Sequence, residues 1–298
     1  MPENHEQAEY RLLSPALLAR LGRLELIARQ AVTGMLQAGT HRSRTLGAGQ
    51  EFEQYRRYSP GDDLRQVDWH LFARSNQLHC RLQTPDTAAR LAIVLDASAS
   101  MGYQGTRVSC TKLRCACIIA ACLAYLAERQ GDALTVLSYG DASLPANART
   151  MTFSEACRTL ETLTAAGEGH AASALSAACN YVRGRGIVVW LTDFLGEEVT
   201  LDATLRAFQT AGKACYAFQV MDPDEVAFDF QGARRFQDPE GPREITAEAP
   251  RVRDEYQYRL KGFMDAVRQA CLRQSVPLAQ VTAQDDLGDV LAGFLGKG

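Results

Sequence analysis

A chain of 298 residues that is 46% hydrophobic and 22% charged has the composition of a folded globular protein and not of a disordered or fibrous one. Its formal net charge of −3 at pH 7 argues against general binding to nucleic acid, which requires a strongly basic surface. The first residues lack the basic and apolar regions of a secretory signal, and the longest uncharged apolar stretch, residues 115–127, is too short to span a bilayer. We therefore expect a cytoplasmic protein without direct membrane insertion.

The N-terminal part, residues 1–88, is predicted to be a separate segment with helical and β-containing structure. Helical periodicity covers Pro15 to Leu36, and a stretch with paired glycines, a Pro-Gly turn and dense charge of both signs follows. Arginines in this stretch are candidates for docking the carboxylates of a partner. They are Arg56, Arg57, Arg65 and Arg74. The alternative is an internal network of salt bridges and aromatic contacts, which the even mixture of charges favours.

From residue 89 to the end, short apolar runs alternate with helical patterns and predict a second domain. Predicted strands cover residues 90–98, 133–140, 186–194, 213–222 and 276–283. Predicted helices lie near residues 107–130, 152–166, 171–183, 200–212, 251–274 and 287–295. Uniformly apolar strands separated by helices are typical of a mainly parallel sheet covered on both faces, so we predict a doubly wound α/β fold. The sequence DPEG near the middle of residues 234–247 predicts a projecting hairpin.

The first strand of the predicted sheet ends in DASASMG, residues 96–102. The spacing of Asp96, Ser98 and Ser100 places three hard oxygen ligands on one side of an extended turn. Asp193 ends another predicted strand, and ligands of open parallel sheets bind beyond the carboxyl ends of the strands. Hard oxygens suit Mg²⁺, Mn²⁺ or Ca²⁺, so the sequence predicts a divalent cation here. The alternative is that Asp96 and the serines only cap the next turn.

Two longer sequence patterns resemble a known family. DASASMG resembles the metal-ion-dependent adhesion site of von Willebrand factor A domains. The segment GAGQEFEQYRRYSPGDDLRQVDWHLFARSNQL is similar to the signature of a bacterial family labelled domain of unknown function 58, whose members join such a segment to a von Willebrand A-like domain. Here the signature covers Gly47 to Arg74. MDPDEVAFDFQGARRFQDPEG resembles the later part of the family, and the similarity runs from about Gly39 to the end of the chain.

The resemblance implies a non-catalytic protein-interaction module. Members of the family are associated with MoxR-type AAA+ ATPases, which implies an adaptor or co-chaperone that engages such an ATPase and a client protein. By the matching motif, Asp96, Ser98 and Ser100 carry over as ligands of Mg²⁺ or Mn²⁺, and Asp193 carries over as the acid of a later strand-end loop.

One ligand of the von Willebrand pattern is not found. Its threonine precedes a helix, and the corresponding residues 165–178 read AAGEGHAASALSAA, with His170 or Ala171 at about the expected place. Glu168 and His170 are candidate substitute ligands.

A metal-dependent hydrolase, phosphatase-like with Asp96 as nucleophile, is the alternative function. The haloacid dehalogenase type of pattern needs a second acid two residues later, where this chain has Ser98, and a hydroxyl cannot replace a carboxylic acid as proton donor. The Walker pattern GxxxxGK[ST] is absent from the sequence, so any ATP used with this protein is bound by a partner. We therefore expect no enzymatic activity.

Overall fold

The structure is a computed structural model whose chain divides into two compact units, residues 44–89 and residues 1–43 together with 90–298. It describes residues 12–21, 52–57, 71–72, 74, 77, 79–83, 89–140, 148–182, 186–197 and 200–295. In the smaller unit, strands β1 (Phe52–Arg57) and β2 (His79–Gln83) pair in antiparallel orientation. The predicted N-terminal segment, residues 1–88, differs from this division, which groups residues 1–43 with the larger unit.

The larger unit is built on one sheet and the helices that cover it. Its strands are β3 (Arg90–Asp96), β4 (Ala133–Tyr139), β5 (Gly186–Thr192), β6 (Ala214–Met221), β7 (Ala233–Gln237), β8 (Glu244–Glu248) and β9 (Leu278–Thr282). Its helices are α1 (Lys112–Gln130), α2 (Phe153–Thr162), α3 (Ala172–Tyr181), α4 (Leu201–Thr210), α5 (Pro223–Ala227), α6 (Ala249–Arg273) and α7 (Leu287–Leu295). A short 3-10 helix covers Ala99–Gly102.

The central sheet has five parallel strands in the order β4-β3-β5-β6-β9. One face packs against α3, α4 and α6 around the fully buried Trp190. On the opposite face, Phe294 of α7 contacts the rings of Tyr216 and Phe218 on β6. Every residue of β5 is buried because both faces are covered, which explains its continuous apolar run. The predicted doubly wound, mainly parallel α/β fold is confirmed.

Helix α1 begins five residues later than the apolar periodicity predicts. Thr111 caps it by accepting a hydrogen bond from the Arg114 amide at 3.1 Å. The preceding loop is tied to the start of α5, because Gly105 N donates to Asp222 and Thr106 N donates to Asp224, at 2.8 and 2.6 Å. These carboxylates hold the residues before Thr111 in a loop and delay the helix.

The β7–β8 pair forms an antiparallel hairpin around the DPEG turn. Most side chains of both strands are exposed. The hairpin is anchored near its turn by aromatic contacts, since Phe236 of β7 stacks on Phe228 at 5.4 Å between ring centroids and Phe228 stacks on Tyr256 of α6 at 4.1 Å. The hairpin is therefore fixed through the ring of Phe236, although most of its side chains are exposed.

The described N-terminal residues pack with the larger unit. Residues 15–21 are helical, and Leu13 and Leu21 are fully buried. Arg20 pairs with Asp286 at 2.5 Å and also with Asp289 of α7. Among the described residues, no helix is long and apolar enough to cross a bilayer.

Gly140 and Gly131 provide a matched pair for testing how closely β4 approaches the DASASMG turn. Both have left-handed backbones, with φ of 90° and 75°, but a Cβ at Gly140 would lie 2.4 Å from Ser98 N, whereas one at Gly131 meets nothing within 4 Å. Gly131→Ala should lower the free energy of unfolding by about 1–2 kcal/mol, the cost of the left-handed conformation. Gly140→Ala should lose a further ~1–3 kcal/mol from overpacking. Urea unfolding measures both, and equal losses would contradict the close approach.

Candidate metal-binding site at the strand ends

The carboxyl ends of β3 and β5 bring the four predicted site residues together. These strands are neighbours in the sheet, with Leu95 paired to Leu191. The residues are Asp96, Ser98, Ser100 and Asp193, and each is at most 4% exposed. The Oγ atoms of the two serines are 3.1 Å apart, and Ser100 Oγ donates to Asp193 Oδ2 at 2.9 Å. Residues separated by 93 positions in the sequence thus form one polar cluster.

Asp96 is held by hydrogen bonds to both of its oxygens. Ser98 N donates to Oδ1 at 2.8 Å, and Thr192 Oγ1 donates to Oδ2 at 2.6 Å. Burial, and then the negative charge of Asp193, raise the pKa of Asp96 to about 6, although the hydrogen bonds from Ser98 and Thr192 oppose this. Asp96 therefore fixes the turn that carries the serines.

Buried hydrogen bonds lie beside Asp96 inside the sheet. Trp190 Nε1 donates to the Tyr139 hydroxyl at 2.9 Å, and Thr192 Oγ1 donates to Asp96 Oδ2 at 2.6 Å. Burial raises the pKa of Tyr139 well above its ordinary value, and the charge of Asp96 adds to the effect. The sequence does not predict a role in the site for Trp190, Tyr139 or Thr192, because their apolar strands indicate only core packing. The register that aligns Tyr139 with Asp96 is what brings them to the site.

Lys112, at the start of α1, neutralises part of the acidic charge. Its Nζ lies 2.9 Å from Asp193 Oδ2 and 2.9 Å from Glu225 Oε1, and the side chain is fully buried. Burial alone lowers the pKa of Lys112, but the charges and hydrogen bonds of Asp193 and Glu225 outweigh it and raise the pKa above its usual value. A lysine at the head of an apolar helix gives no sequence signal for this role.

The charge and geometry of the cluster fit a hard divalent cation. Neighbouring ligands of octahedral Mg²⁺, bound at about 2.1 Å, are separated by about 3.0 Å, and the serine oxygens are 3.1 Å apart. Ser100 directs its proton to Asp193 and so accepts from Ser98 Oγ, which leaves one lone pair of its oxygen available to a cation. With Asp96 ionised, the described residues of the cluster carry three carboxylates, those of Asp96, Asp193 and Glu225, and the ammonium group of Lys112, so negative charge remains. The residues present could hold Mg²⁺ or Mn²⁺.

Asp193 is already engaged on both oxygens. Its Oδ2 accepts from Ser100 and Lys112, and its Oδ1 accepts from Leu195 N at 2.9 Å. It would therefore support a cation chiefly by its charge and by orienting Ser100. Among the described residues, no group of three or more histidine, cysteine, aspartate and glutamate side chains is placed to hold a metal, since this cluster depends on hydroxyls.

The loop expected to supply a threonine runs beside the serines. Ala99 N donates to Gly167 O at 3.0 Å, which ties this loop to the DASASMG turn. Gly169 lies against Ser98, because a Cβ built on it would be 3.6 Å from Ser98 Oγ. Glu168 and His170 are 68% and 82% exposed and pair with each other at 3.4 Å. Their role as substitute ligands stays a prediction.

The candidate docking arginines belong to the smaller unit. Arg74 is helical and exposed, while Arg56 and Arg57 lie in β1, where only the backbone is described. Arg65 lies outside the described residues. Their docking role also stays a prediction.

A family model described as "Protein of unknown function DUF58" matches residues 54–262. The chain belongs to this family. The predicted family membership is therefore confirmed. "Uncharacterized protein Rv1480" of Mycobacterium tuberculosis is 31% identical to this DUF58 protein over 286 residues, which cover 93% of this chain and 88% of the relative. "Uncharacterized protein Mb1516" of Mycobacterium bovis matches with the same identity and coverage.

Solved structures with similarity to this DUF58 protein include two from Bacteroides. The conserved hypothetical protein BatB from Bacteroides thetaiotaomicron is 15% identical, with a TM-score of 0.46, and the match covers 70% of this chain and 98% of that one. An aerotolerance-related membrane protein from Bacteroides fragilis is 16% identical, also with a TM-score of 0.46, over 71% and 100%. The SpRpn10 VWA domain is 12% identical, with a TM-score of 0.42, over 71% and 98%.

Replacing Lys112 tests the buried charge balance. Lys112→Met leaves the Asp193 carboxylate buried without its cation, so the free energy of unfolding should fall by about 3–5 kcal/mol. Adding Asp193→Asn should recover part of this loss because the unpaired charge is removed. Urea unfolding of the single and double variants measures both effects.

An exposed ion pair provides the control. Arg206→Met removes the pair with Asp202 on the surface of α4, and the loss should stay below about 1 kcal/mol. The charge balance described for the cluster would be contradicted if Lys112→Met lost no more stability than Arg206→Met. It would also be contradicted if the double variant with Lys112→Met and Asp193→Asn were less stable than Lys112→Met.

Proposed function

We propose that this DUF58 protein is a non-catalytic protein-interaction module whose strand-end cluster binds a divalent cation and, through it, a carboxylate of a partner protein. The observation that carries the proposal is the convergence of the Ser98 and Ser100 hydroxyls, 3.1 Å apart, with Asp96 and Asp193 beside them. A bound Mg²⁺ or Mn²⁺ would supply positive charge and an open coordination position for an oxygen ligand. The residues of the chain orient the hydroxyls and compensate charge.

The hydrogen bonds of Asp96 support a positioning role over the alternative of a phosphatase nucleophile. Both of its oxygens accept hydrogen bonds within the buried cluster, from Ser98 N and Thr192 Oγ1. A general acid two residues later would be needed for hydrolase chemistry of the haloacid dehalogenase type, and Ser98 occupies that position. Recognition of a partner's acidic side chain requires neither a free nucleophile nor a proton donor.

The partner proposed from the family resemblance is a MoxR-type AAA+ ATPase, with this protein acting as its adaptor or co-chaperone in the cytoplasm toward a client protein. Two features support this pairing. The sequence has no Walker pattern, so ATP would be bound by the partner, and the cluster is suited to hold an acidic side chain of that partner. ATP would be hydrolysed by the partner, and the strand-end cation would make the contact dependent on Mg²⁺ or Mn²⁺.

The first experiment is a Mn²⁺ titration of the purified protein, followed by electron paramagnetic resonance. We expect a single saturable site that Ser100→Ala weakens at least about tenfold, since even groups that only support metal ligands typically contribute that much. Ser138→Ala is the control, because Ser138 pairs with Leu95 in the sheet register and faces away from Asp96. Its hydroxyl has no hydrogen-bond partner in the part of the chain that the structure describes.

Absence of saturable Mn²⁺ binding, or equal affinities in Ser100→Ala and Ser138→Ala, would overturn the cation site.

A second experiment tests the partner. The MoxR-type ATPase from the same genome should be retained by the immobilised protein in Mg²⁺ and released by a chelator, and Ser100→Ala should reduce retention whereas Ser138→Ala should not. Retention that is insensitive to both chelator and Ser100→Ala would contradict engagement through the cation. Hydrolysis of p-nitrophenyl phosphate that is lost in Asp96→Asn would instead support the phosphatase.

A further inference from the structure

The turn of the β7–β8 hairpin carries a carboxylate to the edge of the strand-end cluster. Glu240 Oε2 accepts a hydrogen bond from Gly169 N at 3.4 Å. Gly169 in turn lies against Ser98, since a Cβ built on Gly169 would be 3.5 Å from Ser98 Cβ and 3.6 Å from Ser98 Oγ. Glu240 therefore reaches the loop that borders the serine pair.

The second oxygen of this carboxylate is left without compensation. Glu240 Oε1 is buried and has no hydrogen-bond partner among the described residues. Burying an unpaired polar group is unfavourable, and more so if the group is charged. The single contact of Oε2, at 3.4 Å, is too long to offset that cost. A buried orphan oxygen of this kind needs an explanation, and a hard cation beside it would provide one.

The turn itself holds Glu240 in this position. Asp238 N donates to Arg243 O at 2.8 Å, and Glu240 N donates to Asp238 Oδ1 at 3.0 Å, so the DPEG turn is closed by its own hydrogen bonds. The strands of the hairpin are mostly exposed. The hairpin is thus held by the ring of Phe236, two residues before the turn, and by the contact of Glu240.

We propose that Glu240 is an internal carboxylate ligand of the strand-end cation and occupies the coordination position that the acidic side chain of a partner takes. This inference rests on the proposed function. A partner then binds by exchanging its carboxylate for that of Glu240, and the hairpin turn leaves Gly169 when it does so. The hairpin acts as an intramolecular competitor that keeps the cation from binding unselected carboxylates.

The test counts the water molecules on bound Mn²⁺ through the relaxation of water protons. In Glu240→Ala, loss of a carboxylate ligand should add a water to the bound ion and weaken Mn²⁺ binding at least about tenfold. Acetate in excess should displace that water in Glu240→Ala and leave the wild-type ion unchanged, because its position is filled. Glu244→Ala is the control, since Glu244 is an acid of the same hairpin that pairs with Arg235 at 3.7 Å.

The outcomes separate this inference from the proposed function. One-site Mn²⁺ binding that Ser100→Ala weakens, with the same affinity and the same number of bound waters in Glu240→Ala and Glu244→Ala, would overturn the role of Glu240 and leave the cation site standing. Absence of saturable Mn²⁺ binding in the wild-type protein would overturn both. An added, acetate-sensitive water in Glu240→Ala alone supports the internal ligand.

Discussion

The buried ion pair between Lys112 and Asp193 is the interaction on which the strand-end cluster depends. Two carboxylates at the ends of adjacent strands repel each other in a medium that solvates them poorly, and the sheet cannot move them apart. Lys112 offsets this repulsion only because α1 begins where it does. Its start is set by the loop that Asp222 and Asp224 hold, and Glu225 of α5 secures the other side of the ammonium group.

The parallel sheet explains why the cluster forms at this place. Neighbouring parallel strands end at the same edge, so the turn after β3 and the turn after β5 meet without a dedicated scaffold. Close backbone contacts then sharpen the geometry. Gly140 allows the end of β4 to approach Ser98, and the hydrogen bond from Thr192 at the end of β5 holds Asp96 in place. The same backbone contacts that pack the strand ends therefore also set the positions of Ser98 and Asp96.

The sequence predicted the sheet, its helices and the four residues of the cluster because these follow from local patterns. Apolar runs define the strands, and Asp96, Ser98, Ser100 and Asp193 stand directly after two of them. Lys112 and Glu225 could not be predicted, because their contact depends on the folding of a loop and a short helix that periodicity does not describe. Glu240 was visible only as part of a turn, and its distance from the serines follows from the tertiary course of the hairpin.

Asp193 Oδ2 accepts hydrogen bonds from both Ser100 and Lys112, and this sharing bears on how firmly a cation can be held. The ammonium group already supplies positive charge to the same oxygen, so an arriving divalent ion gains less electrostatic attraction than it would from a free carboxylate. The lysine also compensates the buried charge of Asp193 without an ion. For the proposed cation, this arrangement would favour reversible occupancy, in which the ion would exchange with solvent and would not be retained as a permanent structural element.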